Sequence, residues 1–343
     1  MKIALDAMGG DHGLAPLVDG AIQAAKELGD QIILVGDQEK IHAHLDTIKG
    51  RKSSLEVCHA SQAVGMHELP ASIARKKRDS SIWVATNLVK MGEAQAVVSA
   101  GNTGATMVSA VFLLSKIPGV ERPAIAASLP TRQGNAVMLD VGATVDCTAE
   151  QLYQFGIMGN EYGKYVLDLE KPRVGILSIG EEDTKGNEVT KEAFRLLKNS
   201  PINFIGNIEG RDVYSGNADV IVCDGFLGNV ALKISEGLAD AIKKMLMKEI
   251  AQSRLGRMTY LFIAGPLLRL RRRTDYAEFG GAPLLGVNGI SMICHGRSSA
   301  KAIKNAICRA HKLADGGFVE QLRADIAEGL KVSTPENSPI AQS

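Results

Sequence analysis

The sequence predicts a layered α/β fold around a mostly parallel sheet, and three observations lead there. Short apolar runs recur along the chain, each closes on glycine or aspartate, and each is followed by a segment whose apolar residues recur at helical spacing. Such alternation suits parallel strands, because each strand needs a helical crossover to return the chain to the same edge. Strands are predicted at Ile3 to Leu5, Ile32 to Val35, Ala96 to Ser99, Ala136 to Asp140, Val174 to Ser178, Phe204 to Ile208 and Val220 to Cys223. Helices are predicted between them, at Pro16 to Lys26, Ile82 to Lys90, Thr103 to Leu114, Leu152 to Val166 and Glu188 to Leu197. The pattern leaves strand order open.

From Asn229 to about Ser253 the pattern becomes one long helix in which Val230, Ile234, Leu238, Ile242, Leu246 and Ile250 recur every fourth residue. A stripe of this kind needs a partner surface, either the chain's own body or a second copy in a symmetric dimer. Residues 1–330 read as one α/β unit, and residues 331–343, polar with Pro335 and Pro339, read as a disordered tail.

Composition narrows the functional classes. A formal net charge of +1 supplies no general attraction for nucleic acid, so any charged partner must be met by a local patch. The cysteines Cys58, Cys147, Cys223, Cys294 and Cys308 are scattered and odd in number, which predicts reduced thiols and no metal-binding pair. The chain enters its first strand directly from Met1 without a secretory pattern, and no apolar run reaches the ~20 residues of a membrane span. A cytoplasmic location is therefore expected.

Ligands of α/β folds gather beyond the carboxyl ends of the strands, so the closing turns carry the functional reading. Asp6-Ala7-Met8-Gly9-Gly10-Asp11-His12 pairs glycines, which let backbone approach a ligand, with acids and a histidine. Ser99-Ala100-Gly101-Asn102-Thr103-Gly104-Ala105 joins a strand to a helix, and its N–H groups and hydroxyls suit an anion. The turn from Asp140 to Asp146 again places glycine and acids after a strand. The loop from Gly180 to Glu188 offers Lys185 as a cation among acids, and Asp224-Gly225-Phe226-Leu227-Gly228-Asn229 opens the long helix with an amide beside its N-terminus. Asp6, Asp140 and Asp224 serve equally well as helix caps or turn formers, and His12 and His295 as ligand contacts or structural hydrogen-bonding groups. The dinucleotide fingerprint, the P-loop, the nucleophile elbow and the paired-histidine zinc motif are all missing, so no cofactor and no metal is expected.

In this order and at these spacings, the turns resemble the phosphate acyltransferase family of bacterial phospholipid synthesis, which makes acyl phosphate from acyl-[acyl carrier protein] and inorganic phosphate. The resemblance spans nearly the whole chain, and includes Glu121-Arg122-Pro123-Ala124, Lys185-Gly186-Asn187-Glu188, Gly280-Gly281-Ala282 and His295-Gly296. Thr144, Leu227 and Phe279 depart from the pattern, where asparagine, threonine and tyrosine are usual. The resemblance implies a three-layer body like that of isocitrate and isopropylmalate dehydrogenases, dimeric, with a cleft between two subdomains.

Phosphate is already an anionic nucleophile and a thiolate leaves readily, so positioning and charge neutralisation are the tasks that remain. On this reading Ser99, Asn102, Thr103 and neighbouring N–H groups seat phosphate, with Asp6, Gly9, Gly10, His12, Gly101, Gly104, Asp140, Asp224, Gly228 and His295 around it. Lys185 and Asn229 stabilise the phosphate or the developing oxyanion, and no acyl-enzyme is required. A short-chain phosphate acetyltransferase or a nicotinamide-dependent dehydrogenase also fits an α/β body, and a noncatalytic membrane-surface scaffold for acyl carrier protein leaves the glycine turns unexplained.

Between Glu249 and Asp275 no acid occurs, while Arg254, Arg257, Arg269, Arg271, Arg272 and Arg273 flank the uncharged run Met258 to Leu268. Basic and apolar character together suit peripheral contact with an anionic membrane, near the membrane-bound acyltransferase that the resemblance places next, or docking of acidic acyl carrier protein. A packed helical hairpin with solvated arginines is the alternative.

Overall fold

The computed structural model describes residues 1–48, 54–252 and 275–333, together with Gly265 and Arg269. Its strands are β1 (Lys2–Asp6), β2 (Gln31–Gly36), β3 (Leu55–His59), β4 (Ala96–Ser99), β5 (Ala124–Ile125), β6 (Ala127–Thr131), β7 (Gly134–Leu139), β8 (Val174–Ser178), β9 (Phe204–Glu209), β10 (Val220–Val222), β11 (Ala282–Leu285) and β12 (Ile290–Ile293). The helices are α1 (Leu14–Leu28), α2 (Gln38–Thr47), α3 (Pro70–Lys76), α4 (Ser81–Lys90), α5 (Thr103–Leu114), α6 (Ala149–Leu167), α7 (Glu188–Lys198), α8 (Gly225–Gln252), α9 (Tyr276–Phe279), α10 (Ala300–Asp315) and α11 (Phe318–Ser333).

The strands form two sheets, a seven-stranded one in the order β3-β2-β1-β4-β12-β11-β5 and a five-stranded one in the order β6-β7-β10-β8-β9. Parallel pairing runs from β3 through β12 in the first sheet and from β7 through β9 in the second, with antiparallel strands at one end of each. The chain crosses between the sheets at Ala126, whose neighbours lie in β5 and β6.

The two-residue period of a strand divides the first sheet into faces. Ile3, Leu5, Ile32, Leu34 and Val98 pack with α1 and α10, whereas Ala4, Ile33, Val35 and Val97 pack with α3 and α4, which makes a helix–sheet–helix sandwich. In the second sheet Val137, Leu139, Val174, Ile176, Val220 and Val222 face α6 and α7. Met138, Ile221 and Cys223 point the other way, toward Ala110 and Leu114 of α5 and Leu284 and Ile293 of the first sheet. Each fully buried Ile, Leu or Val contributes about 1.5–3 kcal/mol of transfer free energy, so these faces fix how the sheets meet.

Helix starts follow the side chains available. Thr148 accepts from Gln151 N at 3.2 Å while Gln151 reaches back to Thr148 N at 3.3 Å, a capping box that opens α6. Asn102 and Asn187 cap α5 and α7 through bonds to Ala105 N and Thr190 N.

The long helix is present as α8, but its stripe is not covered by the described residues: Ile234, Leu238 and Ile242 are 64%, 57% and 51% exposed. Among the described residues, nothing of the chain's own body covers Ile234, Leu238 and Ile242. Residues 334–343 of the polar tail lie outside the described residues, and α11 runs to Ser333.

Candidate active site

Strand register brings the predicted turns together in two groups. In the first sheet Asp6 of β1 pairs with Ser99 of β4, and Ser99 with Ile293 of β12, so the turns after these residues leave the same edge side by side. In the second sheet Val222 of β10 pairs with Leu139 of β7 and with Ile176 of β8, which sets the Asp140 turn, the Asp224 turn and the Lys185 loop along one edge.

The first group is tied by buried carboxylate chemistry. Asp6 accepts from Ser99 Oγ at 2.7 Å, Met8 N at 3.2 Å and Gly9 N at 3.1 Å, and Ser99 Oγ in turn accepts from Gly101 N at 3.1 Å. Burial raises the Asp6 carboxyl above the usual carboxylate range, against the opposing pull of hydrogen bonds from Ser81, Ser99, Met8 and Gly9. The turns lie backbone to backbone: a Cβ on Gly9 would stand 2.7 Å from Gly101 N, which is why glycine is needed there. Gly10, at φ +108°, lies beside the carbonyl of Gly296, and Asp11 N donates to that carbonyl at 2.7 Å, bringing in the turn that carries His295.

Asn102 holds a loop that the sequence reading did not single out. Its amide donates to Met66 O at 2.9 Å and Glu68 O at 3.1 Å while its oxygen caps α5. Ser99 and Asn102 thus spend their side chains on organising the turn. Thr103 is exposed, and neither its hydroxyl nor the N–H groups of Thr103 and Gly104 have a partner among the described residues. His12 and His295 are exposed at the rim, His295 Nδ1 accepting from Arg297 N at 3.2 Å.

Asp140 organises the second group. Its fully buried carboxylate accepts from the N–H groups of Ile125 at 2.9 Å, Gly142 at 3.1 Å, Ala143 at 3.0 Å and Thr144 at 2.6 Å. Burial raises this carboxyl as well, with those N–H groups pulling the other way. Gly225 N donates to Thr144 O at 2.8 Å, and Gly228 packs its Cα against the Asp140 carbonyl, where any side chain would collide. Asp224 caps α8 by accepting from Leu227 N at 2.8 Å. The Asn229 side chain comes out beside Gly142, is exposed, and has no hydrogen-bond partner among the described residues.

Lys185 stands on an exposed loop after β8. Of its acidic neighbours, Glu181 pairs with Arg211 at 3.1 Å and Asp183 with Lys198 at 2.9 Å. The Lys185 ammonium has no ion-pair partner among the described residues and is available to an incoming anion. Ser178 Oγ, at the base of this loop, is a buried atom with no partner among the described residues, a feature that strand prediction passes over.

The thiols are held protonated: burial pushes Cys147, next to Thr144, and Cys308 up to about 11 and Cys294 up to about 12. Arg254, Arg257, Arg271, Arg272 and Arg273 of the basic segment lie outside the described residues, and Arg269 is described only as an isolated helical position. No helix among the described residues is long and apolar enough to cross a membrane.

Residues 1–321 match the family described as "Fatty acid synthesis protein". The chain is 49% identical over 335 residues to the phosphate acyltransferase of Trichlorobacter lovleyi, with 98% of this chain and 97% of that protein covered. It is 51% identical over 322 residues to the phosphate acyltransferase of Geobacter sulfurreducens, with 94% and 93% covered. Among solved structures it is similar to a phosphotransacetylase from Streptococcus pyogenes, with a TM-score of 0.64 at 19% identity over 91% of this chain and 94% of that one, a likeness of fold alone.

Proposed function

The chain belongs to the fatty acid synthesis protein family and is an acyltransferase that acts on phosphate, and from that premise we propose that its donor is a long-chain acyl-[acyl carrier protein] and its product the acyl phosphate used in phospholipid synthesis. The observation that carries this reading is a pair of donors without a partner among the described residues, Lys185 on the loop after β8 and Asn229 in the first turns of α8, which follows the adjacent strand β10. Phosphate is seated by Thr103 and the N–H groups that open α5, which have no partner among the described residues, with Ser99, Asn102 and Asp6 holding that turn in shape. A phosphate oxygen attacks the thioester carbonyl, the C–S bond breaks, and the carrier thiolate leaves and takes up a proton from solvent. Asn229 and Lys185 stabilise the charge that develops on the carbonyl oxygen and on phosphate. Thiols held as high as about 11 and 12 are poor nucleophiles, which supports direct transfer over an acyl-cysteine.

The test is incubation with a long-chain acyl-[acyl carrier protein], with and without inorganic phosphate, following free carrier thiol and trapping acyl phosphate with hydroxylamine. Phosphate-dependent thiol release matched by hydroxamate is the expected result, and Lys185→Ala and Asn229→Ala each lower turnover ~10²- to 10³-fold in folded protein. Near-normal turnover in both variants removes these residues from the mechanism, and release without phosphate removes the reaction.

The exposed stripe on α8 supports a homodimer in which a second copy covers Ile234, Leu238 and Ile242. A monomeric mass in sedimentation at micromolar concentration would end that reading. Peripheral contact with an anionic membrane through the arginine segment is proposed from its composition. Equal supernatant recovery from anionic vesicles for wild type and for the Arg269, Arg271, Arg272 and Arg273→Glu variant would count against it.

A further inference from the structure

α5 has two unlike faces. Ala105, Thr106, Ser109, Ala110 and Leu114 are buried, while Val111 and Phe112 face outward, Phe112 61% exposed, with the half-buried Met107 and Val108 one turn before them. These side chains form one wall of a depression of about 310 Å³. Ala143 and Thr144 of the Asp140 turn contribute to its other wall. Apart from Lys116, Glu121, Arg122 and Thr144 its lining residues are apolar, and Lys116 Nζ is engaged with the Glu121 carbonyl at 2.8 Å. The far side chain, Phe112, rests against Trp83 with ring centroids 5.8 Å apart.

Two features distinguish this depression from an ordinary exposed patch. It is continuous with the candidate site: Ala143 and Thr144 are held by Asp140, and Gly142 next to them lies beside the Asn229 side chain. It also runs along α5, the helix whose first turn the reading above gives to phosphate, so an acyl tail leaving that turn has a path along the helix. From Met107 to Phe112 that path advances ~7.5 Å at 1.5 Å per residue.

We propose that this groove between α5 and the Asp140 turn is the acyl-chain subsite, that it takes a saturated hydrocarbon tail, and that Val111 and Phe112 set the preferred chain length. The proposal rests on the acyl-transfer reading above and names where the apolar part of that substrate lies. Each methylene entering an apolar groove strengthens binding about fourfold, so affinity rises with chain length until the tail passes Phe112 and then levels.

The experiment pairs two readouts in wild type, Val111→Trp, which fills the groove, and Phe112→Ser, which removes its far apolar wall. One is the ratio of kcat/KM for a C16 over a C4 acyl donor. The other is calorimetric binding of hexadecylphosphonate, a stable mimic of the product. The expected result is a ratio at least tenfold lower and phosphonate binding at least tenfold weaker in Val111→Trp, with a smaller change of the same sign in Phe112→Ser. Phosphate-dependent transfer in wild type with both readouts unchanged in the variants overturns the groove and leaves the acyl-transfer reading standing. Phosphonate binding that the variants weaken, in a protein with no transfer activity, upholds the groove and overturns the proposed donor chemistry. A changed sedimentation mass in the variants with unaltered phosphonate binding assigns the face to contact between copies and overturns the proposal.

Discussion

Replacing Asp140 by asparagine separates a carboxylate that organises a turn from one that contacts substrate. The wild-type carboxylate satisfies the N–H groups of Ile125, Gly142, Ala143 and Thr144, with Ala143 shared between both oxygens. An amide keeps one acceptor oxygen. In its better orientation that oxygen serves Ile125, Gly142 and Ala143, while the new NH2 meets Thr144 N–H, donor against donor. A buried donor left without an acceptor costs about 1–3 kcal/mol, and loss of a charged acceptor pushes toward the upper end. Relief of the charge burial that raises this carboxyl offsets part of the loss. The net expectation is about 2 kcal/mol, read from urea unfolding at neutral pH, with a larger loss for Asp140→Ala, which strands all of those N–H groups. Stability of Asp140→Asn within about 0.5 kcal/mol of wild type would refute the reasoning.

Gly228→Ala should lose about 1–3 kcal/mol or more in the same assay, because its Cβ would meet the Asp140 carbonyl and the start of α8 has no room to yield; full stability would show that the helix can shift. Asp6 has a carboxyl raised by burial, so between its unfolded and folded pKa values the folded chain holds the extra proton. The stability of wild type relative to Asp6→Asn is therefore expected to be greatest below the ordinary value of 3.8 and to fall as pH rises through the folded pKa. A difference that stays flat or grows with pH would contradict this sign. Cys147, pushed to about 11, should react with iodoacetamide at pH 8 roughly 10²-fold more slowly in native than in unfolded protein; equal rates would reopen the acyl-cysteine route.

Much of this protein was legible before any coordinates. The runs Ala96–Ser99, Val174–Ser178 and Thr103–Leu114 carry enough local periodicity to mark their elements to the residue. The strands β3, β5, β6, β11 and β12 went unread. Several are two to five residues long, and β12, flanked by turns, earns its central place by pairing with β4 and β11. For the site, glycine after a strand and a carboxylate before it were visible as chemistry. Their partners were not: Asp6 meets Ser99 across 93 residues, and Asn102 holds the loop at Met66 and Glu68.

Local sequence thus determined that strands would end in anion-suited turns and that α8 would carry an apolar stripe. Tertiary structure decided which turns share an edge, that Ser99 and Asp140 organise backbone, and that, among the described residues, Lys185 and Asn229 have no partner and the stripe on α8 has no cover. The division has a physical cause. Periodicity and turn chemistry act over a few residues, whereas hydrogen-bond partners and covered faces depend on register between strands distant in the chain, which no local pattern encodes.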